Sequence, residues 1–334
     1  MVNRHPFVRR LALSVIGLAG VAYAAACVYL WTQQRTLIFQ PEAAVLRTPG
    51  DVGMEFRAIE IPAPDGGVIH AWWLPAHSRV SATATVLYLR GNDGNLGREV
   101  TRLDALHRQG LPILAIDYRG YGRSSGPAPS ESQVYADASA AWDHLVRQKG
   151  IAPGRIVLYG HSLGGAVAAE LALRRGPACG IVFEGAFTSM AEMARREYPM
   201  IPVDGLLNER FDTVTKVERL VLPMIFVHGT ADAVVPVAMS ERLYRAARGD
   251  RQLVLVEGAG HEEALTAGGQ RLSDALVRLV RMCDGGNEVA SGIGLWPPPR
   301  SGLRKSPAIR ARRNRFSRAP VRAAGGGRGP VDEQ

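Results

Sequence analysis

Ser162 stands in a short turn that suits a serine nucleophile. The turn reads Gly160-His161-Ser162-Leu163-Gly164 and directly follows the apolar run Ile156–Tyr159. A strand, a one-residue corner and a helix start would place the serine hydroxyl at a helix N-terminus, where free N–H groups can receive an oxyanion. Glycines on both sides remove the Cβ atoms that a strained corner would not accommodate. The pattern therefore predicts Ser162 as a catalytic nucleophile.

A serine hydroxyl is a weak nucleophile, so it needs a general base and a third group that orients the base. Asp232 follows the apolar run Met224–Val227, and His261 follows the apolar run Leu253–Val256 in a glycine-containing loop. Both residues come just after the carboxyl end of a predicted strand, where α/β proteins commonly have their active sites. The chain order of serine, acid and histidine predicts Ser162, Asp232 and His261 as a triad. Two weaker alternatives for the acid have no preceding strand, namely Asp204 and Asp212.

An oxyanion that forms on a substrate needs two N–H donors. One donor is the residue after the nucleophile, here Leu163, and the other lies in the loop after the third strand. That loop reads Arg90-Gly91-Asn92-Asp93-Gly94-Asn95, and we assign the second donor to the backbone of Asn92. Chemistry of this kind needs no metal ion and no organic cofactor, so we expect neither.

Apolar runs alternate with longer helical patterns along the middle of the chain. This alternation predicts an α/β fold with a mostly parallel sheet and helices on both faces. Two alternating segments, Glu55–Ile61 and Val68–Leu74, precede it and are separated by Pro64-Asp65-Gly66-Gly67, which predicts an antiparallel edge hairpin. The later strands are predicted at 86–89, 113–116, 156–159, 181–183, 224–227 and 253–256, and the helical patterns at 96–109, 132–148, 164–175 and about 269–283.

The segment Leu11–Trp31 contains 21 residues without a charge, which is enough to cross a bilayer as one helix. Three arginines precede it and only Arg35 follows closely. The positive-inside bias therefore predicts a cytoplasmic N-terminus and a catalytic body on the periplasmic side. Two alternatives remain open, a cleaved signal peptide ending near Ala24–Ala26 and a lipoprotein signal ending at Cys27. The continued apolar character of Val28–Trp31 favours an uncleaved anchor.

The net charge of +9 is unevenly placed along the 334 residues. Residues 285–334 hold ten Lys or Arg against three acidic residues, so this tail carries +7 and the rest of the chain +2. The tail is rich in Gly, Pro, Arg and Ser, which predicts disorder. We do not expect it to bind nucleic acid. The predicted domains are an N-terminal stub, anchor and linker (1–40), a catalytic domain (41–284) and the basic tail (285–334).

The three cysteines, Cys27, Cys179 and Cys283, are too few to form a framework of pairs. We expect them to be free thiols without a role.

Taken together, these motifs resemble those of a known enzyme group. The chain is similar to membrane-anchored α/β hydrolases of the single-span group that includes protein depalmitoylases and their bacterial relatives. The resemblance covers about residues 10–284. Besides the turn at Ser162, it rests on segments 34–41, 91–95, 117–124 and 210–212 and on the loops of Asp232 and His261.

This resemblance implies the α/β-hydrolase fold and a serine hydrolase that acts on esters or thioesters. One departure is Arg90, which stands where such proteins usually have a histidine before Gly-Asn. Because the oxyanion donors are backbone groups, we expect the oxyanion hole to survive this change. Segment 117–124 is expected to be structural, and a role in holding the oxyanion loop is left open.

Residues 185–223 are placed to form a small cap over the active site. Met side chains adapt to irregular apolar shapes, so the cap suits an acyl substrate. Its apolar residues are Phe187, Met190, Met193, Tyr198, Met200 and Ile201. Glu184 and Glu192 are isolated in sequence beside Arg195 and Arg196, and no acidic cluster is available for a substrate amino group. Two alternatives remain, an aminopeptidase-like serine hydrolase and a non-catalytic, membrane-anchored binding scaffold.

Overall fold

A computed structural model of the chain describes residues 5–63, 65–76 and 84–283. The predicted basic tail, Asp284 and Pro64 of the hairpin turn lie outside these residues. The helices of the described part are α1 (His5–Ile38), α2 (Val100–His107), α3 (Glu131–Asp143), α4 (Leu163–Arg175), α5 (Met190–Glu197), α6 (Val203–Leu206), α7 (Thr213–Val217), α8 (Val237–Ala246), α9 (Ala264–Ala267) and α10 (Gly269–Cys283). Its strands are β1 (Gln40–Pro41), β2 (Arg57–Pro62), β3 (Val68–Leu74), β4 (Thr85–Leu89), β5 (Asp93–Gly94), β6 (Ile113–Ile116), β7 (Ile156–His161), β8 (Gly180–Glu184), β9 (Met224–Gly229) and β10 (Arg251–Val256).

Eight strands form one sheet in the order β10-β9-β8-β7-β4-β6-β3-β2. The six strands from β10 to β6 in this order pair in parallel, whereas β3 runs antiparallel to both β6 and β2. The predicted α/β-hydrolase fold with an antiparallel edge is therefore confirmed. Strands β1 and β5 form a separate two-stranded parallel pair, which the sequence pattern did not reveal because each is only two residues long.

The central strands are buried on both faces, which explains their continuous apolar sequences. In β7, Ile156 and Leu158 pack into a core with α3 and α4, whereas Val157 and Tyr159 pack into a second core with α2 and α10. Successive side chains of a strand point to opposite faces, so one strand serves both cores. The carboxyl end of β7 carries the serine and is held rigidly between these two layers.

Helix α1 extends well beyond the predicted span of 11–31. Among the described residues it is the one helix long and apolar enough to cross a membrane, over Phe7–Ile38, and its most apolar window is not buried against the rest of the chain. Its last turns contact the catalytic body, where Gln34 and Ile38 are buried. The sequence pattern missed this extension because charged and polar residues after Trp31 interrupt the apolar run.

Two of the three cysteines form a disulfide, so the prediction of three free thiols was wrong. Cys179 lies just before β8 and Cys283 ends α10, and their Cα atoms are 5.2 Å apart although 104 residues separate them in sequence. Helix α10 packs its Leu279 against Gly180 at the start of β8, and this packing brings the two thiols together. Only Cys27 is free.

Candidate active site

The turn at Ser162 connects the end of β7 to the start of α4. Ser162 has φ 52° and ψ −117°, a conformation that non-glycine residues rarely adopt. A Cβ at Gly160 would overlap the carbonyl of Gly164, and a Cβ at Gly164 would overlap the carbonyl of Leu89. The two glycines are therefore required for α4 to approach the sheet this closely.

Asp232 and His261 are brought together from the loops that follow β9 and β10. Nδ1 of His261 lies 2.6 Å from Oδ2 of Asp232. The other carboxylate oxygen of Asp232 accepts the backbone N–H groups of Val234 and Val235, each at 2.8 Å. These bonds fix the carboxylate, which in turn orients the imidazole. The weaker alternatives lie elsewhere, since Asp204 pairs with Arg195 in the cap and Asp212 precedes α7.

Sequence reasoning missed a second histidine that supports this acid. His228 is fully buried, and its Nε2 lies 3.1 Å from Oδ2 of Asp232 and 2.9 Å from the carbonyl of Val235. Its Nδ1 is 2.6 Å from the hydroxyl of Ser240. Burial opposes ionisation of Asp232, but the hydrogen bonds from His228 and His261 outweigh it and hold the pKa of this carboxyl well below its usual range. The only sequence signal was the position of His228 at the end of an apolar run.

His261 lies beside the serine turn. The N–H of Ser162 donates to the carbonyl of Glu184 at 2.8 Å, and a Cβ at the next residue, Gly185, would lie 3.0 Å from Cε1 of His261. With Nδ1 engaged by Asp232, Nε2 is the nitrogen left to accept a proton. No hydrogen bond between Ser162 Oγ and His261 is formed among the described residues, and such bonds often tighten only when substrate is bound.

The electrostatic surroundings favour a basic His261. Burial lowers the pKa of His261, but its hydrogen bond and charge interaction with Asp232, and the charges of Glu262 and Glu184, outweigh this effect and raise it above its usual value. The ring of His161 lies against that of His261, with centroids 5.1 Å apart. Burial and the nearby Arg102 hold the pKa of His161 well below its usual value. His161 therefore stays neutral while His261 titrates.

The two predicted oxyanion donors, Asn92 and Leu163, line the same cavity as Ser162. Leu163 is the first residue of α4, so its N–H has no acceptor within the helix. Two hydrogen bonds fix the position of Asn92. Its side-chain amide donates to the carbonyl of Ile38 at 2.7 Å, and its backbone carbonyl accepts the N–H of Gln40 at 2.9 Å. The end of α1 thereby positions the oxyanion loop.

Segment 117–124 also holds this loop. The hydroxyl of Tyr121 donates to the carbonyl of Asn92 at 2.5 Å, and the hydroxyl of Tyr118 donates to the carbonyl of Arg90 at 3.3 Å. The side chain of Arg90 is fully buried, donates to the carbonyl of Asp93, and lies 4.6 Å over the Tyr121 ring. Arg90, which departs from the family pattern, thus stabilises the oxyanion loop from inside and does not line the cavity.

Arg90 pairs with Asp117, whose Oδ1 lies 3.5 Å from Nε of Arg90. Oδ1 also accepts the N–H of Leu96 at 2.9 Å. Burial raises the pKa of Asp117 to about 7 in spite of Arg90. This pair therefore couples the oxyanion loop to the strand β6 that precedes segment 117–124.

An ionic cluster centred on the buried Arg102 lies beside His161. Arg102 pairs with Glu99, with Glu184 at 3.0 Å and with Glu262 at 2.9 Å. Glu184 also accepts the hydroxyl of Tyr159 at 2.9 Å and the N–H of Leu265 at 3.0 Å. The expectation that Glu184 is isolated was wrong, because its partners come from α2, β7 and α9. No sequence motif signalled this cluster.

A cavity of about 420 Å³ opens beside Ser162 and is covered by the cap helices α5 and α6. Of the cap residues predicted to be apolar contacts, all but Met200 line it, and Met200 is instead 81% exposed. Glu197 lines the cavity beside Arg196 and was overlooked in the sequence. Glu192 is not isolated, because Arg242 pairs with it at 2.6 Å. The remaining lining comes from the serine and Asp232 loops and from Leu30, Gln34, Leu37 and Ile38 of α1.

One group of side chains could approach a metal ion. Ligand atoms of His161, His261 and Glu262 lie within 4.8 Å of one another. However, the Arg102 guanidinium is 3.3 Å from Nε2 of His161, and its positive charge opposes a cation there. We assign no metal to this group.

Comparison with known proteins places the chain in a family. A family model, Hydrolase_4, described as serine aminopeptidase, S33, matches residues 81–213 and 203–265. A Mycobacterium tuberculosis relative described only as uncharacterized protein Rv2307c is 34% identical over 269 residues, which cover 80% of this chain and 95% of the relative. The chain therefore belongs to the Hydrolase_4 family and is an α/β hydrolase.

Solved structures show the same fold. The Pyrococcus furiosus esterase Pf2001 superposes with a TM-score of 0.60 at 19% identity and covers 74% of this chain and 98% of its own. An α/β hydrolase from Vibrio vulnificus superposes with a TM-score of 0.55 at 23% identity and covers 69% and 82%, respectively. At these identities the likeness concerns the fold.

Proposed function

We propose that this hydrolase cleaves carboxylic esters or thioesters through an acyl-enzyme on Ser162. Nε2 of His261 takes the proton of Ser162 Oγ as this oxygen attacks the acyl carbonyl. The carbonyl oxygen becomes an oxyanion, which accepts the N–H groups of Leu163 and Asn92. The alcohol or thiol then leaves with the proton from His261. Water repeats the sequence on the acyl-enzyme, releases the acid and restores Ser162.

The observation that carries this proposal is the pairing of His261 with Asp232 beside the strained serine turn. The 2.6 Å bond engages Nδ1, and the lowered pKa of Asp232 keeps its carboxylate charged at neutral pH. A charged carboxylate stabilises the imidazolium that forms when His261 takes the serine proton. The raised pKa of His261 makes it a stronger base than a free imidazole.

The cavity lining supports the proposed substrate class. Sixteen of its 21 lining residues are apolar when Tyr198 is counted among them, and burial of each CH₂ contributes about 0.8 kcal/mol. An acyl chain gains from such a lining, whereas a charged substrate loses hydration. This supports an acyl ester or thioester over a peptide.

We further propose that α1 is an uncleaved anchor and that the catalytic body lies on the non-cytoplasmic side. The arginines before the uncharged run Leu11–Trp31 support this orientation through the positive-inside bias. The Cys179–Cys283 disulfide gives independent support, because disulfides persist in oxidising compartments and are rare in the cytosol.

A second candidate is an aminopeptidase-like activity, favoured by the description of the matching family. Such an activity requires an acceptor for the substrate amino group. Within the cavity the carboxylate available is that of Glu197, and it lies next to the cationic Arg196. A neighbouring positive charge weakens its attraction for an ammonium group.

The decisive experiment compares kcat/KM for an octanoyl p-nitrophenyl ester with that for amino-acid p-nitroanilides. We expect the ester to exceed the anilides by at least about tenfold, or roughly 1.4 kcal/mol in the barrier. Glu197→Gln should leave ester hydrolysis unchanged. A higher value for an anilide that falls in Glu197→Gln would replace the esterase proposal by the aminopeptidase.

The alternative that the protein is a non-catalytic binding scaffold is tested by chemical labelling of the serine. An active-site serine probe such as a fluorophosphonate should label the wild-type protein and leave Ser162→Ala unlabelled. Absence of labelling in folded wild-type protein would favour the scaffold.

A further inference from the structure

The end of α1 is built into the catalytic body along one helical face. Tyr23, Cys27, Leu30, Gln34 and Ile38 recur at intervals of three or four residues, which places them on one side of the helix. Cys27 and Leu30 are half-buried, and Gln34 and Ile38 are buried, whereas the described side chains before Cys27 are exposed. We call these five residues the docking face.

Polar contacts attach the docking face to the cap at two levels. Near the body, Oε1 of Gln34 accepts the N–H of Asn208 at 2.7 Å. Farther along the helix, the hydroxyl of Tyr23 donates to the carbonyl of Met200 at 2.7 Å. Tyr23 and Gln34 are eleven positions apart, which corresponds to about 16 Å along the helix axis. The cap therefore runs alongside α1 toward its membrane-spanning part.

The level of Tyr23 follows from the length of the helix. Arg9 and Arg10 favour the cytoplasmic headgroups, so the hydrocarbon core begins near Leu11. A core of about 30 Å takes about 20 residues at a rise of 1.5 Å per residue, which reaches Leu30. Tyr23 then lies in the half of the bilayer nearer the body, and the carbonyl of Met200 lies at the same depth.

The side chains at this level suit lipid contact. Met200 is 81% exposed, and an apolar side chain so exposed is favoured in hydrocarbon. Its neighbours Tyr198 and Ile201 line the cavity, as does Leu30 on the facing side of α1. The wall of the cavity is thus shared between α1 and two residues, Tyr198 and Ile201, of the segment Tyr198–Ile201, which we call the cap tip. Met200 of the same segment does not line the cavity.

We propose that the cap tip lies in the outer leaflet beside α1 and that the cavity takes the acyl chain of a lipid ester directly from that leaflet. This inference rests on the proposed function, because the acyl chain must end with its carbonyl at Ser162. The anchor is then part of the substrate site as well as a tether.

The first test measures the depth of the cap tip. Full-length protein is reconstituted into phosphatidylcholine–phosphatidylglycerol vesicles as Met200→Cys in a Cys27→Ser background and labelled with bimane. Lipids brominated along the acyl chain should quench this label strongly. Val221→Cys is the matched control, since Val221 is 78% exposed and precedes β9, at the amino ends of the strands and opposite the carboxyl ends that carry the site. Quenching at residue 200 no stronger than at residue 221 would overturn the proposal.

The second test measures the consequence for hydrolysis. Met200→Glu should lower kcat/KM for a long-chain fluorogenic ester in vesicles by at least about tenfold, because a charge in hydrocarbon is costly, and should leave a soluble butyryl ester unchanged. Val221→Glu should affect neither. An unchanged vesicle rate, or equal losses on both esters, contradicts the lipid-facing cap tip. Failure of the proposed function would look different, because wild-type protein would then not hydrolyse the soluble ester.

Discussion

The imidazole rings of His161 and His261 lie against each other, with centroids 5.1 Å apart and planes inclined by 43°. His161 directly precedes Ser162, and His261 is paired with Asp232. Burial and Arg102 lower the pKa of His161, whereas Asp232 and Glu262 raise that of His261. The pair can therefore hold one proton on His261 without a second positive charge beside it.

This difference predicts how activity depends on pH. The general base must be neutral, so kcat/KM should rise as pH increases through the pKa of His261. Glu262→Gln removes a negative charge that raises this pKa, and we expect the acidic limb of the kcat/KM profile to move to lower pH. Glu263→Gln is the control, because Glu263 is exposed like its neighbour but is absent from the groups that shift His261. An acidic limb that stays in place or moves to higher pH in Glu262→Gln would contradict the assignment of His261 as base.

The strained turn at Ser162 predicts that two variants lose activity to the same extent but differ in stability. Ser162→Ala and Ser162→Gly should both reduce ester hydrolysis by at least about a thousandfold, because the nucleophile is gone. Glycine tolerates a φ of 52° and alanine does not, so Ser162→Gly should be more stable than Ser162→Ala by about 1 kcal/mol. Chemical denaturation measures the difference in free energy of unfolding. Equal stability of the two variants would show that the turn is not strained in solution.

The close approach of α4 to the sheet predicts a large effect of one methyl group. Gly164→Ala places a Cβ against the backbone carbonyl of Leu89, which cannot move without disturbing β4. We expect a loss of more than about 3 kcal/mol in the free energy of unfolding. Gly154→Ala is the matched control, because a Cβ there meets no atom within 4 Å. Similar stabilities of the two variants in thermal unfolding would refute this account of the turn.

The disulfide predicts a stability effect without a catalytic one. Cys283→Ser opens a link across 104 residues of sequence and should lower the free energy of unfolding by about 2–5 kcal/mol. Initial rates on a soluble ester at 25 °C should be unchanged, since the bond lies at the amino end of β8, away from the site. Cys27→Ser should show neither effect. The disulfide assignment fails if dithiothreitol lowers the melting temperature of Cys283→Ser as much as that of the wild type.

The local features of this protein were readable from its sequence. The alternation of apolar runs and helical patterns is a short-range property, and it predicted the eight-stranded sheet, its antiparallel edge and α10 with the bounds that the structure has. The glycines around Ser162 were equally informative, because a turn of this kind permits few other residues. The positions of Asp232 and His261 after successive strands were enough to propose them, since parallel strands end at the same edge of a sheet.

Other features were decided by the tertiary structure alone. The register of β7 against β8 pairs His161 with Glu184, and Arg102 reaches Glu184 from a different helix, so no sequence spacing links the three. Cys179 and Cys283 meet only because α10 packs across the start of β8. The docking of α1 on the cap likewise depends on contacts between residues more than 170 positions apart. Periodicity and motifs report on neighbours along the chain, whereas the buried charges, the disulfide and the cavity wall arise from packing between distant segments.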